Sequence, residues 1–212
     1  EFIDKGDHDI CLRPEGTAGV VRWFVQNKKD KAGGQSKVFY HGPMFRYERP
    51  QKGRLREFHQ FGCESFGEAS IYEDATMILM IIEMLNFFKI GYKLQLNSLG
   101  DENCMPQYKE ALVEHLHTLT LCEDCNRRTE SNPIRVLDCK NASCQTELQN
   151  APKITDSLCK SCGTDFAKLK EILDTNGVSY EVDSNLVRGL DYYTKTAFEF
   201  VSNDIEGQSA LA

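Results

Sequence analysis

Two strand-like segments, 37–47 and 54–63, are joined by a run at 49–53 that has the composition of a connecting loop. This order predicts an antiparallel β-hairpin. Because side chains alternate between the two faces of a strand, every second residue of the second segment shares a face. The residues of that face are Arg54, Arg56, Phe58, Gln60, Gly62 and Glu64. A face with these side chains is too polar to belong to a hydrophobic core.

The polar face of the hairpin suits a nucleotide together with an amino acid. Guanidinium groups bind phosphate oxygens, an aromatic ring stacks on a base, and a glycine lets a ligand approach the backbone. Arg46 and Glu48 share a face on the first arm in the same way. The alternative is a solvated amphipathic hairpin with cross-strand ion pairs. The residue types alone leave both interpretations open.

Hydrophobic periodicity predicts further helices and strands along the chain. The apolar stretch after Pro14 is typical of a helix with proline in its first turn, and residues 28–36 have the composition of a loop. Ser70 and Glu73 form a capping-box pattern at the start of another helix. The remaining predicted elements are a strand at 92–96, helices at 107–119 and 166–173, and a strand at 178–182.

The character of the sequence changes between Gly100 and Gly177, where strand alternation is weak. Seven of the nine cysteines lie there, at positions 104, 122, 125, 139, 144, 159 and 162. We therefore predict a separate, mainly helical insertion at 101–177. The flanking parts, 1–100 and 178–212, would form one core, which a chain of this length can support.

Cysteine spacing in the insertion is typical of a metal site. Two Cys-x-x-Cys pairs resemble the knuckles of a four-cysteine zinc site. The predicted ligands are Cys122, Cys125, Cys159 and Cys162. Cys139 and Cys144 lie between the pairs as spare or competing ligands, and the alternative is a set of reduced, buried thiols. The other cysteines are interpreted as core residues: Cys11, Cys63 and Cys104.

Composition excludes several classes of protein. The net charge of −7 argues against a protein that coats nucleic acid non-specifically, although a local basic patch could still bind it. No apolar run approaches the roughly 20 residues that a membrane-spanning helix needs, and the N-terminal residues show no secretory signal pattern. We therefore expect a cytoplasmic protein without a membrane partner.

Three strings of the sequence resemble one enzyme family. Residues 39–67, FYHGPMFRYERPQKGRLREFHQFGCESFG, resemble motif 2 of class II aminoacyl-tRNA synthetases in the form found in histidyl-tRNA synthetases. Residues 186–200, LVRGLDYYTKTAFEF, resemble the histidine-specific motif of that family, and residues 12–19, LRPEGTAG, resemble its amino-acid-binding loop. A match as long as the first does not arise by chance. The resemblance indicates a partial catalytic region of this family.

This resemblance implies an α+β fold, in which a class II synthetase-like antiparallel sheet is flanked by helices and carries a mainly helical insertion domain. It implies a ligase that uses ATP and Mg²⁺ to convert histidine into histidyl-adenylate and then transfers it to the 3′ end of histidine tRNA. The implied assembly is a homodimer. Motif 1, motif 3 and the anticodon-binding domain lie outside the sequence, so we expect the chain alone to be inactive.

The resemblance also implies roles for residues around ATP. Arg46 and Arg188 would be catalytic, with Arg46 contacting both the histidine carboxylate and the α-phosphate, and with Arg188 beside the α-phosphate. Arg54 would hold the terminal phosphates. Glu48 would lie near the adenine amino group, and Phe58 would stack on the adenine ring.

A second group of residues would bind histidine. Three of them match positions that contact the α-ammonium group: Glu15, Thr17 and Gln60. Glu64 and Tyr193 match positions at the imidazole edge, where a carboxylate and a phenol suit a ring with two polar nitrogens. Arg46 and Arg188 complete the implied histidine-binding set.

Two other classes of function compete with the ligase. A regulatory subunit that keeps the fold without tRNA chemistry would generally lack the insertion and the motif 2 arginines, whereas this chain has both. A zinc-dependent RNA-binding module would need a basic insertion, and residues 101–177 carry no such excess of positive charge.

Overall fold

The computed structural model describes residues 1–49, 54–188, 192–202 and 210–212. The described residues form two compact units, one within residues 1–73 and the other from Asp74 onward. The predicted insertion lies inside the second unit, and the predicted boundaries at 100 and 177 remain a prediction. Parts of two predicted features lie outside the described residues, namely residues 50–53 of the hairpin loop predicted at 49–53 and residues 189–191 of the histidine-specific motif at 186–200.

The first unit begins with a short antiparallel strand pair, β1 (Phe2–Ile3) and β2 (Asp9–Ile10). The predicted first helix is present as α1 (Thr17–Gln26), but it begins after Pro14. Pro14 lies outside the first turn, and its carbonyl oxygen accepts a hydrogen bond from Arg46 Nε. A short helix, α2 (Lys29–Ala32), occupies part of the segment that was predicted as a loop.

The predicted hairpin is confirmed. Its strands, β3 (Ser36–Phe45) and β4 (Glu57–Phe66), pair in antiparallel orientation along their whole length. Pairing continues beyond their ends, because the backbone N–H of Arg46 donates to the carbonyl oxygen of Arg56 at 2.9 Å. The second strand ends later than predicted because Phe66 pairs with Ser36 at the start of its partner, and it begins later because Glu57 pairs with Phe45 at the end of its partner.

Helix α3 (Ile71–Phe87) crosses the boundary between the two units. Half of the predicted capping box forms at its start, where the Ser70 hydroxyl accepts a hydrogen bond from the Tyr72 backbone N–H at 3.2 Å. The Glu73 carboxylate instead accepts from Lys37 Nζ at 2.9 Å. An ion pair with β3 therefore replaces the second half of the box.

In the second unit, β5 (Tyr92–Ser98) lies between β6 (Glu181–Val182) and β7 (Thr196–Ser202). It pairs with β6 in parallel and with β7 in antiparallel orientation. Leu94 and Leu96 of β5 are fully buried. The combination of helices with antiparallel strands confirms the predicted α+β class.

The chain between β5 and β6 is helical, as predicted for the insertion. Its helices are α4 (Met105–Leu116), α5 (Glu123–Ser131), α6 (Ala142–Glu147) and α7 (Lys160–Thr175). Their shared core combines aliphatic residues and cysteines with Tyr108, whose pKa is raised to about 12 by burial. The Tyr108 hydroxyl donates to the Pro152 carbonyl oxygen at 3.2 Å. No helix in the described part of the chain is long and apolar enough to cross a bilayer.

Candidate active site

The two faces of strand β4 differ in exposure in the way that the alternation predicts. Phe58, Gln60, Gly62 and Glu64 are half-buried. On the opposite face of the strand, the side chains of Glu57, His59 and Phe61 are exposed. The polar face of the hairpin is therefore partly covered by another part of the first unit.

The cover is the segment before α1. The Arg13 carbonyl oxygen accepts a hydrogen bond from the Phe45 backbone N–H at 2.9 Å, and Arg13 Nε donates to the Pro43 carbonyl oxygen at 2.9 Å. Arg46 Nε donates to the Pro14 carbonyl oxygen at 2.9 Å. These bonds hold the predicted amino-acid-binding loop against the hairpin.

Tyr40 fills the space between this loop and the hairpin. A Cβ atom added to either Gly16 or Gly62 would overlap its ring, so the absence of a side chain at both positions makes room for it. Burial raises the pKa of Tyr40. Our sequence analysis missed this residue, although an aromatic residue opposite a glycine in the predicted hairpin could have indicated it.

The residues predicted to bind ATP form two contacting pairs at one end of the hairpin. The guanidinium carbon of Arg46 lies 4.9 Å from the centre of the Phe58 ring, a cation–π contact. Arg54 Nη1 lies 3.1 Å from Glu48 Oε2. Arg56, which was not assigned a role, donates from Nε to the Glu48 carbonyl oxygen at 3.2 Å.

The residues predicted to bind histidine lie farther along the same face. Thr17 Oγ1 donates to Glu64 Oε1 at 2.7 Å. Burial raises the pKa of Glu64, and the hydrogen bond from Thr17 opposes this rise. Gln60 Oε1 is buried and has no hydrogen-bond partner among the described residues. The Glu15 carboxylate accepts from the Ala18 backbone N–H at 3.0 Å and so also stabilises the start of α1.

Arg188 and Tyr193 belong to the second unit, where they contact each other. The guanidinium carbon of Arg188 lies 5.4 Å from the centre of the Tyr193 ring, and its Nη1 lies 3.9 Å from Glu199 Oε1. Burial raises the pKa of Glu199, which the charge of Arg188 opposes. The buried side chain of Asn97 donates to the Leu186 carbonyl oxygen at 3.0 Å and holds the start of this segment.

Asn97 and Glu199 were both missed by sequence reasoning. For Glu199 the signal was a carboxylate within an otherwise apolar strand. Asn97 continues the alternating polar positions of Lys93 and Gln95, so the sequence of β5 did not single it out.

A family comparison identifies the class of protein to which the chain belongs. The profile of the family described as histidyl-tRNA synthetase matches residues 1–211. The chain belongs to the histidyl-tRNA synthetase family.

Individual relatives agree with this assignment. A histidine–tRNA ligase of Sulfurimonas denitrificans is 63% identical over 214 residues, which cover 100% of this chain and 53% of the relative. The crystal structure of apo S. aureus histidyl-tRNA synthetase has a TM-score of 0.73 and 40% identity, over 93% of this chain and 47% of that chain. It confirms the predicted class II synthetase-like fold. The chain thus spans about half the length of the relatives that it matches.

A more distant solved structure shares the fold alone. It is described as an ATP phosphoribosyltransferase regulatory subunit/histidyl-tRNA synthetase from Bacillus halodurans C. Its identity is 22% and its TM-score is 0.64, over 98% of this chain and 58% of that chain.

In this histidyl-tRNA synthetase family member, the cysteines of the insertion are divided differently from the prediction. The four predicted ligands do not come together, because Cys122 and Cys125 lie in one cluster and Cys159 and Cys162 lie in another. The single zinc site predicted from these two pairs is therefore corrected. The first pair is completed by Cys139 and Cys144, which the prediction treated as spare ligands. The second pair is completed by Cys104, which was predicted as a core residue, and by Asp101, which was not predicted as a ligand.

The first group, the four-cysteine cluster, consists of Cys122, Cys125, Cys139 and Cys144. The Cys122 backbone N–H donates to Cys144 Sγ at 3.2 Å, and the sulfur atoms of Cys122 and Cys139 are 4.0 Å apart. The backbone N–H of Cys125 lowers the pKa of Cys122 to about 7. Burial raises the pKa of Cys125.

The second group, the root cluster, consists of Asp101, Cys104, Cys159 and Cys162 at the base of the insertion. The Cys159 backbone N–H donates to Cys104 Sγ at 3.1 Å, and Cys159 Sγ lies 3.9 Å from Asp101 Oδ1. A hydrogen bond from the Cys104 side chain lowers the pKa of Asp101 to about 2. In both clusters the arrangement of side chains could hold a metal ion.

Proposed function

We propose that this chain supplies ATP- and histidine-binding parts of a histidine–tRNA ligase. The order of side chains along the covered face of the hairpin carries the proposal. Arginines and an aromatic ring lie at one end, and a half-buried carboxylate lies at Glu64. Between them, the buried amide oxygen of Gln60 has no hydrogen-bond partner in the described part of the chain. Adenosine phosphates, an ammonium group and an imidazole would meet these groups in the same order.

Arg46 would act at the reacting atoms. Its Nε is bonded to the Pro14 carbonyl oxygen and its guanidinium group rests on Phe58, so the cation is oriented before a ligand arrives. A fixed cation beside the α-phosphate stabilises the charge that develops when the histidine carboxylate displaces pyrophosphate. Mg²⁺ on the phosphates would supply further charge neutralisation. This adenylation step needs positioning and electrostatics, with no covalent enzyme intermediate.

Arg54 and Glu48 would complete the ATP side. In the free chain they pair with each other at 3.1 Å, and both side chains are about two-thirds buried or more, with relative exposures of 32% and 27%. When phosphate oxygens replace the Glu48 carboxylate as the partner of Arg54, Glu48 would become free to contact the adenine amino group. Phe58 would then stack on the adenine ring.

Histidine would bind at the other end of the face. Gln60 Oε1 is a buried acceptor without a donor among the described residues, and an unpaired buried acceptor is costly unless a ligand satisfies it. The α-ammonium group is such a donor, with Glu15 and Thr17 as its further contacts. Glu64 would accept a hydrogen bond from the imidazole.

Arg188 and Tyr193 would take part from the histidine-specific motif. Their mutual contact, together with the carboxylate of Glu199 near Arg188, supports a preformed arrangement within the second unit. The second step, transfer to the 3′ end of histidine tRNA, remains a prediction. Assembly as a homodimer and location in the cytoplasm also remain predictions.

The test is ATP–pyrophosphate exchange, measured for this sequence within a protein of the relatives' full length, with each standard amino acid in turn. We expect exchange with histidine alone, and we expect Arg46→Ala to reduce its rate by about 10²–10³-fold because one charge-stabilising group is removed. Arg22→Ala is the matched control, since Arg22 is exposed on α1. This control should exchange at the unaltered rate.

Two outcomes would contradict the proposal. Exchange with another amino acid would overturn the assignment of histidine. No exchange with any amino acid in a folded protein, together with no binding of a non-hydrolysable histidyl-adenylate analogue to the 212-residue chain, would favour a regulatory subunit.

A further inference from the structure

We propose that the insertion binds two Zn²⁺ ions, one in the four-cysteine cluster and one in the root cluster. The proposal concerns the architecture of the insertion and does not rest on the proposed ligase activity. It is carried by the side chains that the fold brings together in each cluster.

The use of cysteines supports two sites. Seven of the nine cysteines lie in the insertion, and every one of the seven belongs to one of the clusters. The others, Cys11 and Cys63, lie outside the insertion, and neither takes part in a cluster among the described residues. Four sulfur ligands in one place, and three sulfur ligands with a carboxylate in the other, are ligand sets that zinc accepts.

Both clusters are built in the same way. Cys122 and Cys159 each lie in extended backbone immediately before a helix, at the N-caps of α5 and α7. In each case the backbone N–H of this first cysteine donates to the sulfur of a ligand from elsewhere in the sequence, Cys144 or Cys104. Donors aimed at sulfur favour a thiolate over a thiol, and metal-bound sulfur is thiolate.

The other two ligands of the root cluster, Asp101 and Cys104, also resemble the ligands of the four-cysteine cluster. Asp101 and Cys104 have the spacing of a Cys-x-x-Cys pair in which a carboxylate replaces the first sulfur. The Asp101 carboxylate accepts backbone hydrogen bonds from Asn103 at 2.9 Å and from Cys104 at 3.2 Å, so its oxygens are oriented. Its Oδ1 lies 3.9 Å from Cys159 Sγ.

The distances fit one ion in each cluster. All ligand atoms of a cluster lie within 4.8 Å of one another. Tetrahedral coordination with Zn–S bonds of about 2.3 Å places sulfur atoms roughly 3.8 Å apart, and the Cys122 and Cys139 sulfurs are 4.0 Å apart. A disulfide would require about 2.05 Å. An iron–sulfur cluster would place several atoms between its cysteines and usually takes sulfur ligands alone.

The location of the root cluster indicates what its ion would do. Asp101 follows the end of β5, and Cys159 and Cys162 lie at the start of α7. The residue before β7 is hydrogen-bonded to the residue before Asp101, because the Lys195 backbone N–H donates to the Gly100 carbonyl oxygen at 2.6 Å. An ion in the root cluster would therefore link the start of α7 to the end of β5 and stabilise the insertion against the sheet. The ion of the four-cysteine cluster would join α5 to α6 within the insertion.

The experiment is a metal count on the purified, zinc-loaded 212-residue chain by inductively coupled plasma mass spectrometry. We expect two zinc ions per chain. Cys125→Ser and Cys162→Ser each replace a fully buried ligand of one cluster, so each should retain one ion and the double variant should retain none. Cys63→Ser is the matched control and should keep two.

Cobalt substitution keeps the proposal testable if a serine variant fails to fold. Co²⁺ added to the metal-free wild-type chain should develop thiolate charge-transfer absorption until two equivalents are bound. The two sites should differ in intensity roughly as four sulfurs to three, following their ligand sets. Asp101→Cys adds a sulfur ligand and should raise the total charge-transfer absorption. Asp101→Ala should weaken Co²⁺ binding at the root cluster at least tenfold without changing binding at the four-cysteine cluster.

Several results would overturn the proposal. A chain without metal whose cysteines all react as reduced thiols after denaturation would show that the clusters are packed thiols. One zinc ion that is lost in both Cys125→Ser and Cys162→Ser would indicate a single shared site. Stoichiometric iron in place of zinc would refute the choice of metal.

Discussion

At Glu64, the proposed role in histidine binding conflicts with the stability of the fold. Its carboxylate is half-buried, and burial raises its pKa while the hydroxyl of Thr17 donates to it at 2.7 Å. A group that serves only the fold would seldom be kept in a state that burial disfavours. Gln60 shows the same conflict, because its Oε1 is buried without a partner among the described residues. Both residues are therefore better explained by a ligand than by the stability of the hairpin.

We predict that Glu64→Gln weakens histidine binding but does not destabilise the chain at pH 7. The amide oxygen can still accept the Thr17 hydrogen bond, while the cost of burying a charge disappears. The gain in unfolding free energy should lie between a few tenths and about 1 kcal/mol, a modest value because Glu64 is only half-buried. Urea unfolding at pH 7 and histidine titration calorimetry measure the two effects.

The dependence on pH provides the control. A carboxyl whose pKa is raised by folding is protonated in both states at low pH, so it then resembles glutamine. As pH rises through the ordinary value of about 4.3, the unfolded chain ionises first and stability is lost until the raised pKa of Glu64 is passed. The difference between variant and wild type should therefore vanish below about pH 4. A large loss of stability in the variant at pH 7 would mean that Glu64 is a structural residue.

Among the elements, the hairpin depends on one close packing contact. Tyr40 in β3 lies opposite Gly62 in β4, and its ring covers the glycine. A side chain at Gly62 would overlap the ring, which is also confined by Gly16 from the segment before α1. The ring therefore joins the amino-acid-binding loop to the hairpin, and the two cannot shift independently.

We predict that Gly62→Ala destabilises the chain by about 1–3 kcal/mol, since an added methyl group must displace the packed ring of Tyr40. Because the ring also contacts the loop, histidine binding should weaken in the same variant. Thermal or urea unfolding and calorimetry would measure these effects.

Gly19→Ala is the matched control, because Gly19 lies in α1 and a Cβ atom there meets nothing within 4 Å. It should stabilise the helix by about 0.5–1 kcal/mol. Equal effects of the two substitutions would argue against a packing role for Tyr40.

At the scale of the whole molecule, the two units should respond differently to removal of the proposed zinc ions. The ligands of both clusters lie in the second unit, and cysteines make up a large part of the buried core of the insertion. The insertion also contains short helices such as α6, which has 6 residues and cannot be stable alone. A small core of this kind generally needs a metal or another cross-link.

We predict that a strong zinc chelator abolishes hydrogen-exchange protection across 101–177 and leaves β3 and β4 protected. The reason is that metal-binding free energy in small metal domains is also folding free energy. Hydrogen exchange with mass spectrometry resolves the two regions within one sample. The Cys125→Ser/Cys162→Ser double variant is the control, since a chelator should change nothing further there. Unchanged protection of 101–177 after complete zinc removal would contradict this prediction.

Local sequence was enough to predict most elements that have strong periodicity. The hairpin, α3, β5 and the long helix α7 are present, with ends displaced by a few residues because caps and pairing partners set the ends. Helices α5 and α6 were not predicted. Helix α5 is strongly polar and α6 is short, so neither carries an apolar stripe by which a helix could be recognised.

By itself, the sequence determined the family, the polar face of the hairpin and the kind of ligand that the cysteines could take. These properties depend on residue types at short spacing, where strand alternation and Cys-x-x-Cys pairs place side chains on the same side. Only the tertiary structure decided which residues complete each cluster. Asp101 and Cys104 are far from Cys159 and Cys162 in the sequence, and the fold brings them together: Cys104 and Cys162 share one buried core, and the Cys159 backbone N–H donates to Cys104 Sγ. Asn97 likewise acquires its role from a contact across the fold that no local pattern specifies, and the contact of Tyr40 with Gly16 exists only in the folded unit.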